Sequence, residues 1–141
     1  MASDANDFVR SMGIATSGLR AQSGRMRVIS ENIANADSTA STAGGDPYRR
    51  KVPTFSSALD RALDAKVVTL GKIKSDQSAF HLKYEPTNPG ADATGYVKYP
   101  NVNPMIEMTD MREAQRSYEA NLNIISATRR MIQRTLDILK T

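Results

Sequence analysis

His81 is the single histidine of this 141-residue chain, and it is the first side chain to test for chemistry. It stands in a stretch where Phe80, Leu82 and Tyr84 alternate with His81, Lys83 and Glu85. That period of two predicts a strand with one buried face and His81 turned outward. The chain has no Cys, and no carboxylate stands at triad spacing from His81, so neither a metal set nor a nucleophilic triad is assigned. Glu107, Asp110 and Glu113 recur every third residue. They fall where a helix begins, and carboxylates there balance the positive end of the helix dipole. A working acid and base pair would need a pocket that nothing in the sequence predicts. Gly44-Gly45 lacks the Lys and following helix of a phosphate loop. Tyr48-Arg49-Arg50-Lys51 concentrates three cations, which suit a phosphate or the carboxylates of a partner. No catalytic, cofactor-binding or metal-binding residue is assigned, and the chain does not read as an enzyme.

Composition narrows the classes further. The net charge is only +4, well short of the dense basic footprint of a nucleic-acid protein. The absence of Cys excludes a disulfide framework and leaves the redox compartment open. No run approaches the roughly 20 apolar residues of a membrane span. The first twelve residues place Asp4 and Asp7 ahead of any Arg and lack a continuous apolar core. They are not a cleavable secretory signal, so the chain is cytoplasmic or exported by a route that needs none.

The elements that would position any site lie at the two ends. Met111, Tyr118, Ile125, Ile132 and Leu139 fall seven apart, with Leu122 and Leu136 at the alternate spacing. Ile124, Met131 and Ile138 form a second stripe beside the first. No Gly or Pro interrupts Asp110 to Lys140, which predicts one rod about 45 Å long at 1.5 Å per residue. Thr109 is the expected N-cap, and Arg129, Arg130, Arg134 and Lys140 suit the other end of the dipole. Arg129 takes the seam position between Leu122 and Leu136, where an Arg selects register or lays its stem along the seam. Ala114 and Gln115 weaken the seam near its start.

The N-terminal segment repeats the pattern. Phe8, Met12, Ala15, Leu19, Met26, Ile29, Ile33 and Ala36 fit an apolar seam with Gln22 as its polar member, and Ser3 is the expected cap. Gly13, Gly18 and Gly24 each cost about 1 kcal/mol against Ala in a helix interior. They are either tolerated or needed for close approach of a neighbour. The fold class is therefore mainly α, with long terminal helices pairing as a coiled-coil-like bundle around a short antiparallel β-rich middle. The expected divisions are an N-terminal arm over 1–36, a loop over 37–55, a β-rich insert over 56–105 and a C-terminal arm over 106–141. Within the insert, Ser56 to Lys66 reads as a short helix, and Val67 to Lys74, Ala79 to Glu85 and Tyr96 to Tyr99 read as strands.

Two blocks go beyond periodicity. Ser30-Glu31-Asn32-Ile33-Ala34-Asn35-Ala36-Asp37-Ser38-Thr39, followed by Pro47-Tyr48-Arg49-Arg50-Lys51, resembles the N-terminal signature of bacterial flagellar rod and hook proteins. Tyr99-Pro100-Asn101-Val102-Asn103-Pro104, then Met108 to Arg130, resembles the matching C-terminal signature. The short insert resembles that of proximal-rod members of the flagellar basal-body rod family, since distal rod and hook relatives are longer. The signature residues are Asn32, Ala34, Asn35, Thr39, Tyr48, Arg49, Pro100, Asn101, Val102 and Asn103.

The resemblance implies a structural subunit exported unfolded and uncleaved through the flagellar type III apparatus. It would polymerise into a hollow rod crossing the periplasm, its helices paired near the axis. The implied partners are copies of itself, other rod subunits, the basal-body ring and export-gate junction, and the export apparatus, with no nucleic acid, membrane span or cofactor. The subunit interface then falls on Phe8, Met12, Leu19, Met26, Ile29 and Ile33 of the first helix. On the second it falls on Met111, Tyr118, Leu122, Ile125, Ile132, Leu136 and Leu139. In several relatives the Asn-rich block runs into a tight turn; here a longer loop from Thr39 to Pro47 replaces it. Three alternatives stand beside this reading. They are a different rod or junction subunit, a basic helical nucleic-acid-binding protein using Tyr48 to Lys51 with Arg129, Arg130 and Arg134, and a secreted adaptor or chaperone-like coiled coil forming a closed oligomer.

Overall fold

The computed structural model describes residues 2–139, and side chains for residues 6–138. Helix α1 spans Ala2–Ala34 and helix α2 spans Pro104–Leu139. Between them lie β1 (Lys51–Val52), β2 (Phe55–Asp60), β3 (Ala65–Leu70), β4 (Lys74–Ser75), β5 (His81–Tyr84) and β6 (Tyr96–Tyr99). The chain forms two compact units, and both helices run through both. The first comprises Met1–Met26, Thr54–Lys72 and Glu113–Thr141, the second Arg27–Pro53 and Ile73–Arg112.

Helix α2 starts six residues earlier than its sequence suggests. Asn103 is the cap: its side-chain oxygen accepts the backbone N–H of Met105 at 3.0 Å, and Pro104 occupies the first helical position. Thr109 lies inside the helix, where its hydroxyl donates to the Met105 carbonyl at 3.0 Å. Helix α1 closes on Asn35, whose side-chain amide donates to the Glu31 carbonyl at 2.8 Å. The expected cap at Ser3 and the side chain of Leu139 lie outside the described side chains.

In the first unit the helices run antiparallel, with Gly18 facing Asn121 and Arg25 pairing with Glu113 at 3.5 Å. A Cβ on Gly18 would stand 2.9 Å from the Asn121 amide nitrogen, so this glycine sets how closely the helices meet. β2 and β3 form an antiparallel hairpin, from Phe55 opposite Leu70 to Asp60 opposite Ala65. The short helix expected from Ser56 to Lys66 is thus a strand and a turn. Asp60 accepts the N–H groups of Ala62 and Leu63, Asp64 takes a left-handed φ of 46°, and the chain reverses. The i, i+4 spacing of Leu59 and Leu63 loses to cross-strand pairing with the β-branched run Val67-Val68-Thr69. Leu63 and Leu70 then seat against Gly13 and Gly24 of α1, sites where a Cβ would collide with them.

The second unit holds two short antiparallel pairs, β1 with β4 and β5 with β6. The strand expected over Val67 to Lys74 is split between β3 and β4, while β6 keeps its expected bounds. The face expected to be buried on β5 is the open one: Leu82 and Tyr84 are 65 % and 62 % exposed, because the sheet meets the core through the opposite face, where Val97 of β6 is buried. The unit's core is instead Val28, Ile29, Ala36, Val97, Pro100 and Val102, around buried Asn32 and Glu107.

Candidate assembly interface

Asn32 organises the second unit. Its side-chain oxygen accepts the Tyr48 hydroxyl at 2.8 Å and the Lys51 N–H at 2.9 Å. Its amide nitrogen donates to the Lys51 carbonyl at 2.8 Å and to Glu107 at 3.0 Å. Glu107 is 1 % exposed, and its other oxygen accepts from Arg50 Nε at 2.6 Å. Asp76 and Asp110 stand 3.8 and 3.7 Å from the same guanidinium. Asn101 completes the clasp: it accepts the Arg50 N–H at 2.8 Å and donates to Ser78 Oγ at 2.8 Å. Burial, then the negative charges of Glu31 and Glu107, push the Tyr48 phenol up to about 12. Hydrogen bonds from the backbone and hydroxyl of Ser78 hold Asp76 below its ordinary value.

The basic run is thereby engaged within the chain. Arg49 lies 4.1 Å over the Phe80 ring, Arg50 meets three carboxylates, and Lys51 pairs with Glu31. Of the signature residues, Asn32, Tyr48, Asn101 and Asn103 make these architectural bonds, and Pro100 and Val102 are buried. Asn35 closes α1, Ala34 is exposed and Thr39 is half-buried. Glu107 and Arg50 were legible only as a dipole partner and a member of a cationic run. Their partnership spans 57 residues of sequence and left no local signal.

Helix α2 presents four distinct faces. The face packed in the first unit carries Ala114, Asn121 and Thr128, seven apart, with Ala114 and Thr128 fully covered. These are small or polar; Asn121 stands against Gly18 of α1, whose buried positions in this unit, Ala15 and Ala21, are likewise small. At about 100° per residue, two apolar flanks lie roughly 60–100° to either side of Asn121. One holds Ile124, Met131 and Ile138, the other Tyr118, Leu122 and Leu136. Leu122, Ile124, Met131, Leu136 and Ile138 are between 42 and 75 % exposed. Arg116, Arg130 and Arg134 occupy the fourth face.

The residues read as interface from sequence fall into three groups. Ile29 is buried within the chain, while Phe8, Met12, Leu19, Met26, Ile33, Met111, Tyr118, Ile125 and Ile132 are half-buried. Leu122 and Leu136 are open. Val9 and Ile14 are exposed on α1 and do not belong to the sequence seam. Among the described residues no acidic, His or Cys cluster could hold a metal, and no helix is long and apolar enough to cross a membrane. His81 is exposed.

Residues 12–40 match the family model described as flagella basal body rod protein. Residues 93–138 match the one described as flagellar basal body rod FlgEFG protein C-terminal. The flagellar basal-body rod protein FlgC of Agrobacterium fabrum is 54 % identical to this chain, covering 90 % of it and 91 % of the relative. The chain belongs to the flagellar basal-body rod protein family. FlgC of Bacillus subtilis is 41 % identical, with coverage of 92 % and 97 %, and FlgC of Aquifex aeolicus is 38 % identical, with coverage of 95 % and 98 %. Members of the rod family are structural and non-enzymatic, in agreement with a site made of packing surfaces and an internal clasp. Both matched segments contain the clasp's helix residues, Asn32 in one and Glu107 in the other.

Proposed function

We propose that this chain is a structural subunit of the flagellar proximal rod, polymerising through its terminal helices into the shaft that crosses the periplasm. It is exported uncleaved by the type III apparatus. Its neighbours are copies of itself, other rod subunits, and the ring and export-gate junction. The observation that carries the reading is the inversion on α2, which packs small and polar residues inward and leaves Leu122, Ile124, Met131, Leu136 and Ile138 open. Taking a fully exposed apolar side chain out of water is worth about 1.5–3 kcal/mol. These are about half covered already, so each adds roughly half of that and the two flanks together favour association. Flanks on opposite sides of one helix suit contacts that continue from copy to copy.

The test is Leu122→Asp expressed in place of the native chain. A charge there meets apolar neighbours only after assembly, so the subunit should fold and be exported while rods, hooks and motility are lost. A motile strain with intact basal bodies carrying Leu122→Asp would overturn the reading.

A further inference from the structure

We propose that copies of the subunit are joined by strand addition, the open edge of β2 in one copy pairing antiparallel with the open edge of β5 in the next. The inference rests on the reading that copies assemble, and it names a second contact besides the helix flanks.

The hydrogen-bond register exposes both edges. Gly71 N–H donates to the Thr54 carbonyl at 2.7 Å, which makes these two a directly bonded pair. Alternation along the antiparallel register then turns Ser56, Ala58 and Asp60 toward β3, and the N–H and C=O groups of Phe55, Ser57 and Leu59 away from it. On the opposite edge, the outward N–H of Val68 is taken by Ser17 Oγ of α1 at 3.2 Å, so a helix side chain already occupies the middle of that edge of β3. The β5–β6 pair repeats the arrangement. Glu85 N–H donates to the Gly95 carbonyl at 2.9 Å, which leaves Leu82 and Tyr84 with their backbone groups outward on β5. On the far edge of that pair, Asp92 accepts the outward N–H of Tyr96.

Neither free edge contains Pro. β2 reads Phe-Ser-Ser-Ala-Leu-Asp, with its one charge at the end, and β5 reads His-Leu-Lys-Tyr, whose shortness and Lys83 confine pairing to a short matching segment. The two edges are complementary. β5 offers two outward residues at a spacing of two, which match Ser57 and Leu59 when Leu59 stands opposite Leu82 and Ser57 opposite Tyr84. That register joins two of the most exposed apolar side chains, 61 % and 65 % open, and brings His81 beside Asp60. β2 carries one carboxylate and no cation; β5 carries Lys83 and no anion. The two edges differ, so the contact joins copies head to tail rather than closing a pair.

The same register puts Ala58 opposite Lys83 at a pair without direct hydrogen bonds, where Cα atoms approach to about 4.5 Å, within disulfide reach. The chain has no native Cys. Basal bodies carrying Ala58→Cys with Lys83→Cys should give, on mild oxidation, a ladder of multimers whose mapped link joins those two positions, and either single variant should give none. A dimer from Ala58→Cys alone would show β2 pairing with itself. A link closed within one chain, or no link in basal bodies that contain the double variant, would also overturn the proposal and leave the rod reading standing. Ser57→Pro removes one outward N–H without touching the β2–β3 ladder. It should keep the helicity of the purified subunit and lower its incorporation into basal bodies at least tenfold, and undiminished incorporation would overturn strand addition. Absence of the unaltered chain from wild-type basal bodies would instead overturn the rod reading.

Discussion

Glu107 places a carboxylate where 1 % of its surface meets solvent, and it is held there by Arg50 and Asn32. Removing one member of such a group leaves buried donors or acceptors short of a partner, which costs more than the bonds themselves contribute. Glu107→Leu should therefore destabilise the purified subunit by about 3 kcal/mol in urea unfolding, and Asn32→Ala by about 2 kcal/mol through the orphaned Tyr48 hydroxyl and Lys51 N–H. The Tyr48 phenol gives a pH signature. Folding raises its pKa from the ordinary 10 to about 12, so the folded state holds this proton more tightly. Its contribution is complete below pH 10 and lost as pH rises toward 12, and Tyr99, raised chiefly by its hydrogen bond to Glu85, acts in the same direction. Melting temperature should fall across that window, and less steeply in Tyr48→Phe. The sequence identifies Asn32, Tyr48 and Asn101 as signature residues without showing what they do. The bond from Asn32 to Glu107 crosses 75 residues, and no local pattern encodes it.

At the scale of elements, periodicity located both helices but not the face each turns to its own chain. The large residues at Leu122 and Leu136 read as the seam, and Ala114 reads as a defect in it. The structure uses Ala114, Asn121 and Thr128 for packing, because Gly18 lets the helices approach too closely for Leu or Ile between them. Gly18→Leu would have to displace the Asn121 side chain and should cost about 1–3 kcal/mol, measured by thermal unfolding of the purified subunit. The start of α2 turns on a choice between two caps. Thr109 and Asn103 are both capping types, and Pro104, suited to the first helical position, decides between them. Asn103→Ala should lower stability by about 1 kcal/mol. The β2–β3 hairpin escaped the sequence reading because Leu59 and Leu63 fit a helix equally well until Val67 to Thr69 pair back across the turn.

On the scale of the molecule, two apolar positions with the same sequence pattern separate folding from assembly. Ile29 is covered within the chain, so Ile29→Asp should abolish the folded subunit, while Leu122→Asp should leave its unfolding free energy within about 0.5 kcal/mol and block only the rod. Circular dichroism of the purified variants distinguishes the two outcomes. If export leaves the chain uncleaved, mass spectrometry of basal-body protein should recover residues 1–12, and a mature chain beginning downstream would contradict that route. The central claim is that neighbouring subunits cover the flanks of α2, and Met131 reports on it directly, since it lies on one flank and is 47 % exposed. Peroxide oxidation of Met131, followed by mass spectrometry, should be fast in the free folded subunit and at least tenfold slower in purified basal bodies. Equal rates in the two would show that this flank stays open in the rod, and the assembly surface would have to lie elsewhere.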